Sequence, residues 1–158
     1  MRKLFGKLLA ETMHDKRVRL LAGDVGFGVL DEAFRAAPDR CWNMGAAEQA
    51  MVGAAVGMTY EGKIPICYTI TPFMLYRPFE WLRNYCQIEK APIKLVGVGR
   101  DDDYKSLGYT HWCFEQRAVL NVLDGIHGFF PSDEDDLKLI WPAFMKATGP
   151  VYLNLRRV

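Results

Sequence analysis

The sequence predicts an α/β fold: an open, mainly parallel sheet of about six strands with helices on both faces. Short apolar runs alternate with helix-like segments along the chain, as repeated strand–helix units require. The strand-like runs are apolar at nearly every position, which is typical of strands buried on both faces. The 158 residues, half of them apolar, suit one core, and no linker divides them. We therefore predict a single domain over 1–158.

Six segments are predicted strands, and turn residues bound most of them. The third follows the turn Glu61-Gly62-Lys63, and the fourth follows Pro92. The fifth stops at Pro131, and the sixth follows Gly149-Pro150. The predicted strands are 18–23, 41–44, 64–70, 93–98, 126–130 and 151–155.

Helical patterns lie between these strands. The last one follows Ser132, a predicted N-cap, and has Asp133, Glu134 and Asp135 in its first turn, where acids complement the helix dipole. A helix start explains this acidic cluster better than a metal site does. The predicted helices are 2–14, 29–36, 46–60, 73–89, 114–123 and 133–146.

Composition excludes some classes of function. With 20 Lys and Arg against 19 Asp and Glu, the chain has no basic excess for binding nucleic acid. No apolar run is long enough to predict a membrane span, and the N-terminus favours an amphipathic helix over a signal peptide. The four cysteines, at 41, 67, 86 and 113, form no C-x-x-C pattern. We expect buried, reduced thiols in a cytoplasmic protein rather than disulfides or a zinc site.

The loops at the carboxyl ends of the strands are the places to search, because ligands of open α/β sheets bind there. The first, 23–28, reads Gly-Asp-Val-Gly-Phe-Gly, and its three glycines let the backbone approach a ligand. It lacks the spacing of a dinucleotide fingerprint and the Gly-Lys-Ser/Thr of a phosphate loop. Alone, it is also consistent with a plain strand-to-helix turn.

The second loop leads into a helix of very small apolar residues, GAAEQAMVGAAVGM, with Glu48 near its start. These neighbours predict a tight, low-dielectric position, which favours the protonated form of a carboxyl group. The alternative is a glutamate that simply complements the helix dipole from the first turn. Such small residues also predict close packing against another element or another chain.

Three aromatic residues, Phe73, Tyr76 and Phe79, recur at every third position after the third strand. On a helix this spacing predicts one shared face, which is either core or a stacking surface for a planar ring. The fourth loop, 99–112, is long and polar, and such loops are often functional in compact α/β domains. It carries His111, which either transfers protons near neutral pH or binds a local partner.

Together these segments resemble the central, pyrimidine-binding domain of the transketolase family, including deoxyxylulose-phosphate synthases. The likeness covers about residues 18–156 and is closest to the stand-alone C-terminal subunits of split transketolases. The segments that carry it are GDVGFG (23–28), PDRCWNMGAAEQAMVGAAVGM (38–58), EGKIPICYTITPF (61–73), GYTHW (108–112) and FFPSDEDDL (129–137).

The resemblance implies thiamine diphosphate as the cofactor and two catalytic residues. Glu48 matches the glutamate that binds N1′ of the cofactor's aminopyrimidine. A desolvated carboxyl group there shares a proton with the ring nitrogen, which activates the cofactor. His111 is similar to the histidine of a Thr-His motif that faces the substrate.

The resemblance also implies four cofactor-binding residues. Phe73 matches an aromatic against which the aminopyrimidine packs, and Tyr76 and Phe79 look like further members of that apolar surface. Such a surface also excludes water from the reacting carbon. Asp24 lies where the family brings the first loop near the thiazolium.

Departures from the family pattern imply a partner. The family's Gly-Asp-Gly signature, followed by a distant Asn, binds diphosphate and magnesium; here Gly23-Asp24-Val25 is followed too soon by Asn43. The resemblance therefore implies no metal ligands in this chain and a diphosphate-binding, N-terminal-type partner subunit that holds Mg²⁺ or Ca²⁺. We expect self-association and a heterotetramer with two copies of each chain. Trp112 and the loop 100–107 also differ from the family pattern, so the resemblance does not identify the sugar substrate.

The resemblance thus implies a subunit of a split, thiamine-diphosphate-dependent transferase. We expect it to transfer a two-carbon ketol unit from a ketose donor to an aldehyde acceptor. The alternatives are a split decarboxylase or deoxyxylulose-phosphate-synthase-like enzyme with the same cofactor, and a non-catalytic regulatory subunit of the same fold. A nucleotide-binding module is disfavoured because the chain has no phosphate loop of its own.

Overall fold

One sheet of six strands organises the computed structural model, which describes residues 1–157. The strands are β1 (Val18–Ala22), β2 (Cys41–Asn43), β3 (Ile64–Ile70), β4 (Lys94–Val98), β5 (His127–Phe129) and β6 (Val151–Leu155). Their order is β2-β1-β3-β4-β6-β5, and every neighbouring pair is parallel. The predicted parallel sheet is confirmed. Val158, the last residue of the predicted domain, lies outside the described residues.

Strand order creates a topological switch point between β1 and β3. The chain leaves β1 for β2 on one side and returns to β3 on the other. Ligands of open α/β sheets bind in the crevice that forms where the order reverses in this way. The loops that follow β1 and β3 therefore flank the expected binding crevice.

Helices cover both faces of the sheet. They are α1 (Arg2–Thr12), α2 (Asp31–Ala36), α3 (Glu48–Tyr60), α4 (Thr71–Tyr76), α5 (Phe79–Trp81), α6 (Gln116–Val122) and α7 (Glu134–Lys146). A π-helix, Leu82–Ile88, continues α5, and short 3₁₀ turns lie at Pro38–Arg40, Lys105–Leu107 and Tyr109–His111.

The core consists of two apolar clusters, one on each face of the sheet. Side chains of β3 alternate between them, with Tyr68 in the cluster beside α1 and α7, and Cys67 in the cluster beside α3. Phe5 and Phe144 anchor the first cluster, and Met51 anchors the second. Burial of each such side chain contributes about 1.5–3 kcal/mol to folding. The prediction of helices on both faces is therefore confirmed.

The helix predicted over 73–89 is wrong as a single element. Helix α4 begins earlier, at Thr71, and ends at Tyr76; α5 starts only after Pro78. Proline has no backbone N–H, and its ring clashes with the preceding turn, so it interrupts a helix. The π-helical turns over Leu82–Ile88 then carry the chain toward β4.

The N-cap of α7 is Asp133 rather than the predicted Ser132. Its carboxylate accepts hydrogen bonds from the backbone N–H groups of Asp135 (3.0 Å) and Asp136 (2.9 Å). Asp136 in turn accepts a hydrogen bond from the backbone of Ser132 at 2.9 Å. The cluster is thus a capped helix start, as the sequence indicated, displaced by one residue.

All four cysteines are buried free thiols, as predicted. Burial raises the pKa of Cys41 to about 11 and that of Cys86 to about 12. Such thiols stay protonated, and they are poor nucleophiles at neutral pH. No helix within residues 1–157 combines the length and the apolar character that crossing a membrane requires.

Candidate active site

Glu48 is the first residue of α3 and lies at the switch point, only 1% exposed. Its Oε1 accepts a hydrogen bond from the Thr69 hydroxyl of β3 at 3.1 Å. Its Oε2 accepts a hydrogen bond from Arg77 Nη1 at 2.7 Å. The predicted burial of Glu48 is confirmed, but its surroundings are not purely apolar. The Arg77 guanidinium and the N-terminus of α3 both place positive charge beside this side chain.

Gly23, directly after β1, packs against this carboxylate. A Cβ atom at position 23 would lie 2.8 Å from Thr69 Oγ1 and 3.3 Å from Glu48 Oε1. The first distance is shorter than side-chain atoms tolerate, so the close approach of the two strands requires glycine. The first loop thus forms one side of the Glu48 site.

Arg77 connects Glu48 to Phe73, and Phe73 in turn contacts His111. The Arg77 guanidinium carbon is 3.6 Å from the centroid of the half-buried Phe73 ring. The His111 ring packs edge-on against Phe73, with centroids 5.0 Å apart, and its Nδ1 is 2.9 Å from the Thr110 hydroxyl. A chain of contacts through Arg77 and Phe73 therefore joins the two predicted catalytic residues, Glu48 and His111.

Tyr76 and Phe79 do not share one face with Phe73. Phe73 packs against the cluster beside α1 and α7, whereas Phe79 packs against the cluster beside α3. Tyr76 donates a hydrogen bond to Glu115 at 2.6 Å. Burial, followed by its contacts with Cys113 and Glu115, raises the pKa of Tyr76. The predicted continuous aromatic face is wrong: Phe79 lies beyond the helix break at Pro78, and Tyr76, although on α4 with Phe73, bonds Glu115 instead.

Asp24 links the first and second loops. Asn43 Nδ2 donates a hydrogen bond to Asp24 Oδ1 at 3.0 Å, and the Asp24 backbone N–H donates to Asn43 Oδ1 at 3.1 Å. Asp24 has a φ of 55°, a left-handed conformation that is uncommon for a residue other than glycine. Its exposed carboxylate therefore has a fixed position at the rim of the crevice.

The comparisons with known proteins decide the family. The model for the transketolase pyrimidine-binding domain matches residues 1–158. The chain belongs to the transketolase pyrimidine-binding-domain family. This confirms the resemblance that the sequence motifs indicated.

Relatives of this transketolase-family chain include subunits of split enzymes. One of the apulose-4-phosphate transketolase subunits of Actinobacillus succinogenes is 30% identical over 118 residues, 75% of this chain and 38% of that protein. The 6-deoxy-6-sulfo-D-fructose transketolase subunit SqwH of a Clostridium species is 27% identical over 151 residues, 95% of this chain and 47% of that protein. The 1-deoxy-D-xylulose-5-phosphate synthase of Anaeromyxobacter sp. strain K is 29% identical over 157 residues, 98% of this chain and 24% of that protein.

A solved structure supports the same assignment. A split-gene transketolase, described as an inactive beta4 tetramer, superposes with a TM-score of 0.84 at 31% identity. The match covers 99% of this chain and 50% of that chain. The transketolase-family chain thus spans half or less of the length of the proteins it matches.

The residues present fit the aminopyrimidine half of thiamine diphosphate. Arg77 shows that a flat, nitrogen-bearing group can contact the Phe73 ring and bind Glu48 Oε2 at the same time. An aminopyrimidine is likewise flat and offers ring nitrogens to a carboxyl group. Among residues 1–157, by contrast, no group of three or more His, Cys, Asp or Glu side chains is placed to hold a metal ion.

The loop 99–112 is held down by a polar network at the ends of β4 and β6. Arg100 donates a hydrogen bond to Asn154 Oδ1 at 2.7 Å. Asp103 accepts hydrogen bonds from the backbone N–H groups of Arg100 and Arg157 and from the Arg156 guanidinium. Burial would raise the pKa of Asp103, but these donors outweigh it and hold the pKa below its usual value. The loop that carries His111 is therefore anchored.

Sequence reasoning missed Thr69 and Arg77. Thr69 carries a hydroxyl group in a strand that is mostly apolar. This was the signal in the sequence, because a buried hydroxyl group needs a hydrogen-bond partner. Arg77 carried no such signal, since its contact with Glu48 depends on where Pro78 breaks the helix. Trp112 Nε1 is buried without a hydrogen-bond partner within residues 1–157, and the structure shows no function for it.

Proposed function

We propose that this chain provides the pyrimidine-binding half of a thiamine-diphosphate-dependent, transketolase-like transferase. The enzyme would transfer a two-carbon ketol unit from a ketose donor to an aldehyde acceptor. One observation carries the proposal: the buried Glu48 carboxylate at the switch point is oriented by Thr69 and linked through Arg77 to the Phe73 ring. The relatives named as transketolase subunits support it.

Thiamine diphosphate, when bound, supplies a carbon nucleophile that attacks the carbonyl carbon of a sugar. In our proposal Glu48 shares a proton with N1′ of the aminopyrimidine, and Thr69 fixes Oε1 so that Oε2 faces the ring. Phe73 packs against the ring and keeps water away from the reacting carbon. Asp24, at the rim of the crevice, contributes to binding of the cofactor. Tyr76 and Phe79 support the segment that carries Phe73.

His111 is proposed to exchange a proton with the substrate. The Thr110 hydroxyl lies 2.9 Å from Nδ1, so Nε2 is the nitrogen left for the substrate. Histidine is suited to this step because it changes protonation state near neutral pH. Its edge-on packing against Phe73 orients the ring.

The diphosphate and its Mg²⁺ or Ca²⁺ are assigned in this proposal to a partner subunit of the diphosphate-binding type. The relatives named as subunits of split transketolases support a partner. A tetrameric split-gene relative supports self-association. We propose a cytoplasmic heterotetramer, with two copies of each chain and active sites at the interfaces, that acts in carbohydrate metabolism.

Glu48→Gln tests the catalytic assignment in the assembled two-subunit complex. We expect turnover of a ketose donor and an aldehyde acceptor to fall at least about 100-fold, because the amide cannot share the proton. The control, Glu61→Gln, changes an exposed glutamate at the other end of α3 and should leave turnover unchanged. Wild-type turnover in Glu48→Gln would overturn the catalytic proposal and favour a regulatory subunit.

A second reaction with the same cofactor is the alternative, favoured by the similarity to deoxyxylulose-phosphate synthase. Product analysis separates the two reactions. Incubation of the complex with an aldehyde acceptor and either pyruvate or a ketose shows which donor is consumed. Release of CO₂ from pyruvate, without consumption of the ketose, would replace ketol transfer by the decarboxylating reaction.

A further inference from the structure

Arg77 makes both contacts that the proposed function assigns to the aminopyrimidine. Its guanidinium carbon lies 3.6 Å from the Phe73 ring centroid. Its Nη1 donates a 2.7 Å hydrogen bond to Glu48 Oε2. A guanidinium is planar, delocalised and rich in N–H donors. Like an aminopyrimidine, it can therefore stack on an aromatic ring and donate a hydrogen bond to a carboxylate.

The Phe73 ring face and Glu48 Oε2 cannot serve both groups at once. We propose that Arg77 occupies the aminopyrimidine position in the cofactor-free subunit, and that the cofactor must displace it. This inference rests on the proposed function, because it takes Glu48 and Phe73 as the residues that bind the ring. It adds a residue that sets cofactor affinity by competition.

Arg77 is placed to move. It follows Tyr76, the last residue of α4, and precedes Pro78, so it lies at the break between α4 and α5. Its side chain is 41% exposed, whereas that of Glu48 is fully buried. Displacement therefore swings a half-exposed side chain into solvent without disturbing the core.

The competition has a physical reason. A buried carboxylate without a partner is strongly unfavourable, and Arg77 supplies a positive charge while the site holds no cofactor. The same ion pair occupies Oε2. Glu48 can share a proton with a ring nitrogen only after Arg77 has left, so the site becomes catalytic as the cofactor binds.

Cofactor binding to the assembled complex tests the inference without measuring activity. If Arg77 competes, Arg77→Met removes the competitor and raises the fraction of sites open to the cofactor. We expect thiamine diphosphate with Mg²⁺ to bind about tenfold more tightly by calorimetry, and to associate faster by stopped-flow tryptophan fluorescence. The matched control is Arg83→Met, which changes an exposed arginine bound to Asn84 and should leave both values unchanged.

Arg77→Lys is the second variant, because Met leaves Glu48 without a positive partner and can impair folding. Lysine keeps the charge but lacks the planar group that stacks on Phe73, so we expect binding about threefold tighter than wild type. Unchanged binding in the folded Arg77 variants would overturn the competition, and weaker binding would overturn it and assign Arg77 to holding the cofactor. If wild-type complex binds no thiamine diphosphate, the proposed function fails together with this inference. If the wild-type complex binds thiamine diphosphate but the Arg77 variants bind it no more tightly, only this inference fails.

Discussion

The contacts of Glu48 explain why position 23 needs glycine. The backbone of Gly23 passes so close to Thr69 and Glu48 that a single added carbon would collide with the Thr69 hydroxyl. The carboxylate therefore depends on three separate elements: the end of β1, the end of β3 and the start of α3. A small change in any of them moves the oxygen that is proposed to face the cofactor.

Gly23→Ala tests this packing. We expect the free energy of unfolding to fall by about 1–3 kcal/mol, because the added methyl overpacks a site that cannot expand. The control is Gly57→Ala in α3, where an added Cβ meets no atom within 4 Å. That change should instead stabilise by about 0.5–1 kcal/mol, because alanine favours the helix. Urea unfolding of both variants measures the difference, and equal effects would contradict this account of Gly23.

Single residues of the site were predictable where their type was unusual for its place. Glu48 is conspicuous among alanine, glycine and valine, and Phe73 and His111 follow strand ends at which ligands bind. Arg77 was not predictable, since its partner is 29 residues away and its direction depends on a helix break. Local patterns do not encode such distant contacts.

At the scale of elements, the anchored loop 99–112 determines where His111 lies. Asp103 joins this loop to the segment after β6 through three hydrogen bonds from Arg156 and Arg157, and it accepts a fourth from the backbone N–H of Arg100 within the loop. Its side chain is only 6% exposed. The loop is thus fastened to the end of the chain, and His111 packs against Phe73.

Asp103→Asn tests the anchor. At pH 7 we expect the free energy of unfolding to fall by about 2 kcal/mol, because a nearly buried charged acceptor is lost. The control, Asp102→Asn, removes a more exposed carboxylate 3.8 Å from Lys105 and should change stability by less than about 0.5 kcal/mol. Similar losses in both variants would contradict the anchor.

The pH dependence of this difference has a definite sign. The pKa of Asp103 is lowered from 3.8 in the folded chain, so the unfolded chain binds more protons as the pH falls below about 4. The stability that Asp103 contributes is present at neutral pH and is lost as the pH falls through the folded pKa. Unfolding measured from pH 7 down to about pH 3 should therefore show the wild type approaching the Asp103→Asn variant. A difference that grows toward low pH would contradict this sign.

Elements were predicted well where apolar runs were continuous and poorly where one proline decided the outcome. The run IPICYTI became β3 with the predicted bounds, 64–70. The helix predicted over 73–89 is instead interrupted at Pro78. The signal was present in the sequence, since proline interrupts helices for steric reasons.

At the scale of the whole molecule, the order of the strands makes the site. The sequence predicted parallel strands buried on both faces, because their apolar runs leave no polar side. It did not predict that β1 lies between β2 and β3, since pairing between strands depends on long-range packing. That order brings the loop 23–28, the start of α3 and the end of β3 together at one crevice.

The most direct test of the central claim is a structure of the assembled two-subunit complex with thiamine diphosphate. We predict that the Glu48 carboxyl group lies at the interface between two chains, within about 3 Å of N1′ of the aminopyrimidine. The ring should lie on Phe73, with the guanidinium of Arg77 displaced. A complex in which residue 48 is remote from every interface between chains, or in which the ring binds elsewhere, would contradict the account.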